Sequence, residues 1–472
     1  MKKRWHRDGG YKDILRLSLP LIFSQGSLTI QAVVDRVFLS WYAPEALAAA
    51  MPSGMIQFTI ASIFIGAAGY VGTFTAQYFG AGRHDRIGPV VWQGFYLSLG
   101  AGLLGLLILP FSGWLFRCFG HPADIQSLER IYFNIMMFGL FPAAASSALS
   151  SHFSGLGRTW TVLRVTLAAT SFNLFFDYAL VFGKWTFPEM GIAGAAWATV
   201  LSQILSLALY GAIAMGRGDG DRFGFRTGWR PDTRLFLRLA RFGFPNGLHF
   251  ALETSGFTLF LILVGRIGTD ALAATNIAFS INHLAFMPMF GFGTAASILV
   301  GQRLGENRPD DAARSVRLIA EMTFAYMASV AAVYFFAPGV FLSLFAAQAD
   351  PERFAPIAAA AARLLKFVAF YSLFDTANIV FASAVKGAGD TRFVMWVSMT
   401  LSWALMALPS IAAVLWCDPS LETLWAFATL YICVIGVVFT VRFIRGRWKT
   451  MRVIEPNLVG EEVQGSRFKV QR

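Results

Sequence analysis

Charge is what this sequence has least of. Asp, Glu, Lys and Arg make up 14% of its 472 residues, against about a quarter in soluble domains. A chain so poor in charge is not expected to be a soluble globular protein. Cysteine is nearly absent as well. Cys118, Cys417 and Cys433 show no paired spacing, so no disulfide framework, zinc site or redox motif is expected, and each reads as a small apolar packing residue. The phosphate-cradling pattern GxxxxGK[ST] is missing, so ATP is not expected to drive the protein directly. HExxH and GxSxG are missing too, and no catalytic cluster gathers near a membrane interface, so no enzyme and no cofactor are expected. GFGTAA, Gly291 to Ala296, fits a dinucleotide pattern formally, but it lies inside an apolar run rather than after a strand. No small-residue cleavage site follows the first apolar segment, Ile14 to Trp41. That segment is also too long for a signal-peptide core and is expected to be a retained first helix. The net charge of +12 is not gathered in any basic domain, so nucleic acid is not an expected partner.

What is present is apolar: 56% hydrophobic residues, with 46 Phe and 13 Trp, and a mean hydropathy of +0.57. A membrane-spanning helix needs about twenty apolar residues. Twelve runs qualify: 14–41, 46–79, 90–118, 127–153, 161–183, 191–215, 242–266, 274–303, 315–346, 357–385, 393–416 and 421–444. The loops between them alternate in charge. One set, with both termini, carries 31 of the 39 Lys and Arg; the opposite loops and their flanks carry seven, and Arg36 lies inside the first run. By the positive-inside rule both termini are expected on the cytoplasmic side of the membrane. The even span count agrees, since it returns the chain to the side where it began.

The chain also repeats itself. A shift of 225 residues aligns Pro20 with Pro245, Gly66 with Gly291, Gln77 with Gln302, Gly80 with Gly305 and Arg83 with Arg308, without a gap. A shift of 232 brings Gly155, Gly157 and Thr159 onto Gly387, Gly389 and Thr391. The expected organisation is a terminal segment (1–13), a first six-helix lobe (14–215), a basic linker (216–241), a second six-helix lobe (242–444) and a basic tail (445–472). Each half has an even number of spans, so the repeats run parallel, with a cavity between them and rocking of one half on the other as the natural motion.

Four carboxylates lie inside apolar runs: Asp35, Asp177, Glu253 and Asp375. Each costs at least ~2.5–3.5 kcal/mol at the centre of a bilayer, so each needs a reason. Asn173 and Asp177 are four apart and share a helix face, and Thr199 of the next span can offer a hydroxyl. Carboxylates, an amide oxygen and a hydroxyl are hard ligands that suit a small hard cation or a shared proton. The plainer alternatives are an Asp35–Arg36 pair and a simple helix–helix hydrogen bond from Asn173, although adjacent helical residues do not face each other. Glu253 follows His249 by four residues, and Asp375 lies four after Tyr371 and three before Asn378. The expected role of His249 is to hydrogen-bond Glu253. Glu321 and His283 receive no role. The abundant Phe side chains can line a cavity for flat lipophilic cations through cation–π contact, though most are expected to face lipid or neighbouring helices. Pro20 and Pro245, at one place in each half, allow spans one and seven to bend.

These stretches resemble the multidrug and toxic compound extrusion (MATE) family, in its bacterial NorM-like branch. The matching segments include LPLIFSQGSLTIQAVVDRVFLSWYAPEALAAA, TAQYFGAGRHDRI, GLGRTWTVLRVTLAATSFNLFFDYALVFG, GIAGAAWATVLSQ, VGQRLGENRPDDAAR and SAVKGAGDTR. Ala274-Thr275-Asn276 stands where many members read Ala-His-Gln. The resemblance implies two lobes forming a V-shaped cavity and efflux of organic cations in exchange for Na+ or H+. It implies a first-lobe coupling site of Asp35, Asn173, Asp177 and Thr199. Glu253 and Asp375 would be the second-lobe acids, serving coupling, substrate binding or both. The expected partners are small organic cations and the lipid bilayer. The fold needs no second copy to enclose its cavity, so a monomer is expected. The competing readings are a flippase for a lipid-linked or amphiphilic substrate, which would want several Arg or Lys in its cavity, a passive channel or receptor, and a membrane enzyme.

Overall fold

The structure is a computed structural model and describes residue 5 and residues 9–216, 218–346 and 351–455. All its regular elements are helices. In chain order these are α1 (Tyr11–Tyr42), α2 (Pro44–Gly69), α3 (Val71–Gly80), α4 (Ile87–Ile108), α5 (Ala123–Phe138), α6 (Leu140–Gly155), α7 (Thr159–Phe182), α8 (Ile192–Ala214), α9 (Thr233–Ile267), α10 (Thr269–Gly305), α11 (Pro309–Phe336), α12 (Pro351–Ala388), α13 (Thr391–Leu401), α14 (Leu408–Trp416) and α15 (Leu421–Ile444). Short helical turns flank them. Among the described residues, eleven helices or joined helices are long and apolar enough to cross a membrane, and the bent pair α5–α6 makes twelve.

Local sequence explains where these spans start, break and bend. Asp232 caps α9: its side chain accepts from the Leu235 amide at 3.0 Å, one of the amides that a helix start leaves unpaired. The helix therefore begins at Thr233, nine residues before the apolar run at 242. Its first nine residues bring Arg234, Arg238 and Arg241 into helix. The fourth span bends by 44° at Gly139, and Pro142 in the first turn of α6 has no amide to donate across that bend. The eleventh span contains a π-helical turn, Ser402–Ala407, just before Pro409, a common form of helix irregularity near functional groups. Pro20 and Pro245 both lie within unbroken helices, α1 and α9. The ninth run, read as 315–346, ends as a span at Phe336, and Gly339–Ala346 is a separate helix.

The chain folds into two lobes. In the first, α7 packs between α1 and α8, and α2 packs against α5 and α6; in the second, α12 packs against α10, α11 and α15. The lobes meet where α9 crosses α2 and where α10 crosses α1 and α3. These crossings are close because glycines remove side chains from them. A Cβ on Gly66 would lie 2.6 Å from the Gly247 Cα, and one on Gly291 would lie 2.4 Å from Ile22. Gly66 and Gly291 are repeat equivalents, and so are Ile22 and Gly247.

The hydrogen bonds between the lobes follow the same two-fold relation. The Gln77 amide nitrogen donates to the Gly387 carbonyl at 3.1 Å, and that of Gln302 donates to the Gly155 carbonyl at 2.8 Å. The Tyr70 hydroxyl adds a bond to the Lys386 carbonyl at 2.7 Å. All of these residues lie near the helix ends that face the basic loops. The lobes are thus sealed together on that face.

Candidate functional site

In the first lobe, α1, α7 and α8 bring the four expected residues together. Asn173 and Asp177 are fully buried on one face of α7. The Asn173 amide nitrogen donates to the Thr199 hydroxyl of α8 at 3.5 Å. Asp35, on α1, lies within electrostatic reach of Asp177. One oxygen of Asp35, the amide oxygen of Asn173 and both carboxylate oxygens of Asp177 are buried without a hydrogen-bond donor. Buried acceptors left unmatched are costly. Four of them converging in one place is an arrangement that a proton or a small hard cation would complete. These residues therefore fit the coupling ion that the sequence leads one to expect. No ion pair joins Asp35 to Arg36 among the described residues. Arg36 is exposed, and its charge reaches His283 in the other lobe. Tyr132 of α5, not singled out from sequence, lies within reach of both acids.

In the second lobe, a cavity of about 350 Å³ is lined by Glu253, Asp375 and a wall of aromatic rings that includes Phe250, Phe257, Phe279, Phe286 and Phe290. Asp375 accepts from the Asn378 amide at 3.0 Å, which holds one carboxylate oxygen in place. Tyr371 lines the same cavity, and its hydroxyl accepts from Asn282 at 3.4 Å. His249 stands 4.0 Å from Glu253 and makes its closer contact, 3.0 Å, with the Ser398 hydroxyl. The histidine is thus shared between Glu253 and the eleventh span rather than being a simple partner of the acid. His283, left without a role by the sequence, is part of the lining. Glu321 is not: midway along α11, it accepts a 2.7 Å bond from Tyr11.

Lys386 is the residue that sequence reasoning misplaced. Ahead of Gly387-Ala388-Gly389-Asp390 it reads as one more basic loop residue. The structure continues α12 to Ala388 and puts the Lys386 charge within reach of Glu253 and His249. The second-lobe cavity is thus lined by two acids, one of which, Glu253, feels the charge of Lys386 from outside the lining. Thr275, in the segment that departs from the common pattern, is buried and accepts from the Trp425 indole at 3.2 Å. Among the described residues, no group of three or more His, Cys, Asp or Glu is placed to hold a metal ion.

A two-lobed bundle of twelve spans, sealed on one face, with acids buried in each lobe and an aromatic cavity between helices, defines a membrane transporter. The MatE family model matches the chain twice, over residues 20–179 and 245–410, one match per half, with starts separated by the same 225 residues as the repeat. The chain belongs to the MatE family of membrane transporters and to its NorM-like branch, a family of transporters rather than enzymes. It is 28% identical over 411 residues to the probable multidrug resistance protein NorM of Brucella suis, covering 85% of each chain. It is 24% identical over 452 residues to the NorM of Thermotoga maritima, covering 95% of this chain and 96% of that one. Its fold matches a solved MOP superfamily transporter from Pyrococcus furiosus with a TM-score of 0.83, at 18% identity over 95% of this chain and 98% of the other. A multidrug resistance MATE family transporter solved in an outward-facing conformation gives the same TM-score, identity and coverage.

Proposed function

We propose that the protein is a secondary-active multidrug efflux antiporter. It exports organic, cationic compounds in exchange for Na+ or H+ by alternating access, working as a monomer in the bacterial inner membrane with both termini cytoplasmic. The observation that carries this reading is the set of four donorless oxygens contributed by Asp35, Asn173 and Asp177. Nothing in a purely structural role calls for two unpaired acids in a span, whereas an ion that must be bound and released does. In this reading Asp177 and Asp35 hold the ion or proton, the Asn173 carbonyl oxygen completes the set, and Thr199 orients Asn173.

The second-lobe cavity supports organic cations as cargo. Glu253 and Asp375 supply negative charge, and the phenylalanines supply faces for cation–π and apolar contact. Lys386 would compete with a bound cation for Glu253. The multidrug names of the relatives point the same way. The acids weigh against an amphiphile flippase, whose cavity would need cations to hold phosphate.

Proteoliposomes loaded for an imposed Na+ gradient, and then for a pH gradient alone, test the proposal with a fluorescent organic cation. Uphill movement under one gradient supports antiport and names the ion. Movement that only dissipates the dye's own gradient, under either condition, would contradict it.

A further inference from the structure

Away from the transport cavity, on the sealed basic face, lies a second cavity of about 870 Å³ between the start of α9, the ends of α3 and α10, and the tail segment 450–455. Arg234, Arg238, Arg241 and Arg452 line it, together with one carboxylate, Glu455. That carboxylate is already engaged. It accepts from the Tyr78 hydroxyl at 2.7 Å and pairs with Arg86 at 3.4 Å, Arg83 at 3.5 Å and Arg238 at 3.3 Å. The remaining charges face the cavity without a carboxylate. Arg452 bonds the carbonyls of Lys449 and Met451 and the Asn307 side chain, so its neighbours are neutral. Burial pushes its guanidinium below the usual arginine value, as expected for a charge short of counter-charge. Arg234 and Arg241 are exposed and make no ion pair among the described residues. Arg238 is already committed to Glu455 through the nitrogen 3.3 Å away.

Arg234, Arg238 and Arg241 are spaced i, i+4 and i+7, so they form one stripe along α9, immediately before the apolar part of the helix begins at Phe242. Phe242 and Ile454 contribute apolar wall to the same cavity. Guanidinium forks on one side and apolar wall on the other match a phosphate group carried at the level of a membrane surface.

We propose that this cavity is a binding site for a phosphate-bearing anion, presented either by a phospholipid headgroup or in free solution. Because its walls come from α3 in the first lobe, α9 and α10 in the second and the tail, a ligand there ties the lobes together on their sealed face. It therefore stabilises that arrangement of the transporter.

The test is the unfolding temperature of the full-length protein in neutral detergent. The probes are phosphatidylglycerol, phosphatidylcholine as the uncharged-headgroup control, and inorganic pyrophosphate at constant ionic strength. Phosphatidylglycerol is expected to raise the unfolding temperature saturably, with apparent affinity falling at least about tenfold in the double variant R234Q/R241Q, as the loss of two surface arginines implies. Both residues are exposed and unpaired, so the unliganded variant should melt as wild type does. R266Q removes one positive charge at the other end of α9 and should bind as wild type. A pyrophosphate shift that is lost in the double variant places the recognition in the phosphate itself; a shift with phosphatidylglycerol alone assigns the site to lipid. No shift beyond that of phosphatidylcholine, or a shift unchanged in R234Q/R241Q, would overturn the proposal.

Discussion

Asp177 shows what can be read from one residue. A carboxylate inside SFNLFFDYALVFG is an anomaly that costs free energy, and the i, i+4 partner Asn173 marks the face it uses. The structure adds that neither carboxylate oxygen has a donor. Asp177→Asn removes an unmatched buried charge, so it should leave the unfolding temperature at or above that of wild type while ion-driven transport falls to background. A thermal melt and a transport assay on one preparation check both halves, and a variant that unfolds early would show the carboxylate to be structural. Glu253→Gln and Asp375→Asn should weaken binding of an organic cation by about tenfold or more each, one charge contact in a partly dry site, read as the Kd of a fluorescent cation. The four acids, Asn173 and Thr199 were all legible because polar groups stand out against an apolar background. Tyr132, His283 and Lys386 were not. Tyr132 lies near the start of its apolar run and His283 has no acid three or four residues from it, so neither stands out in sequence, and Lys386 was disguised by the glycines that follow it, which suggest a loop where α12 in fact continues.

At the level of elements, the twelve spans were legible because each apolar run exceeds the bilayer thickness. Their boundaries follow from chemistry that hydropathy does not register: the Asp232 cap that starts α9 early, and the bend at Gly139. The close crossings between helices were legible only as repeated glycines, and their partners needed the fold. Gly80 and Gly305 occupy equivalent places, and a Cβ on either would lie 2.0 Å from the Gln302 carbonyl oxygen or 2.2 Å from that of Gln77. Gly80→Ala and Gly305→Ala should therefore each destabilise the sealed face by about 1–3 kcal/mol, the usual cost of overpacking, without unfolding either lobe. Spin labels at the exposed, equivalent positions Trp160 and Arg392 should report a longer or broader distance in both variants. An unchanged distance would show that the seal does not depend on these crossings.

Over the whole molecule, the two halves share a scaffold but not their acids. The shift of 225 puts Asp35 opposite Phe260 and Glu253 opposite Leu28, and the shift of 232 puts Asp177 opposite Pro409 and Asp375 opposite Ala143. The repeat thus gives a symmetric seal, and each lobe carries its own polar site. The tail crosses that seal: the Val453 amide donates to the Gln77 side chain at 2.9 Å, and Glu455 gathers arginines from both sides. Burial alone would raise the Glu455 carboxyl, but the Tyr78 hydrogen bond and the nearby Arg238 and Arg86 charges outweigh it and hold it below the usual glutamate value. A depressed carboxyl contributes stability above its unfolded value and loses it as pH falls through the native one. The unfolding temperature of wild type should thus exceed that of Glu455→Gln at neutral pH, and the gap should close on acidification below the ordinary glutamate range; a gap that persists in acid would remove the ion cluster from the account. The central claim, that the first-lobe oxygens couple transport to an ion, is tested most directly by comparing two fluxes in proteoliposomes containing wild type or Asp177→Asn. One is exchange of labelled for unlabelled organic cation at equal concentration, and the other is accumulation driven by an ion gradient. The account predicts that wild type performs both and that the variant retains exchange but accumulates nothing. Gradient-driven accumulation by Asp177→Asn at the wild-type level would contradict it.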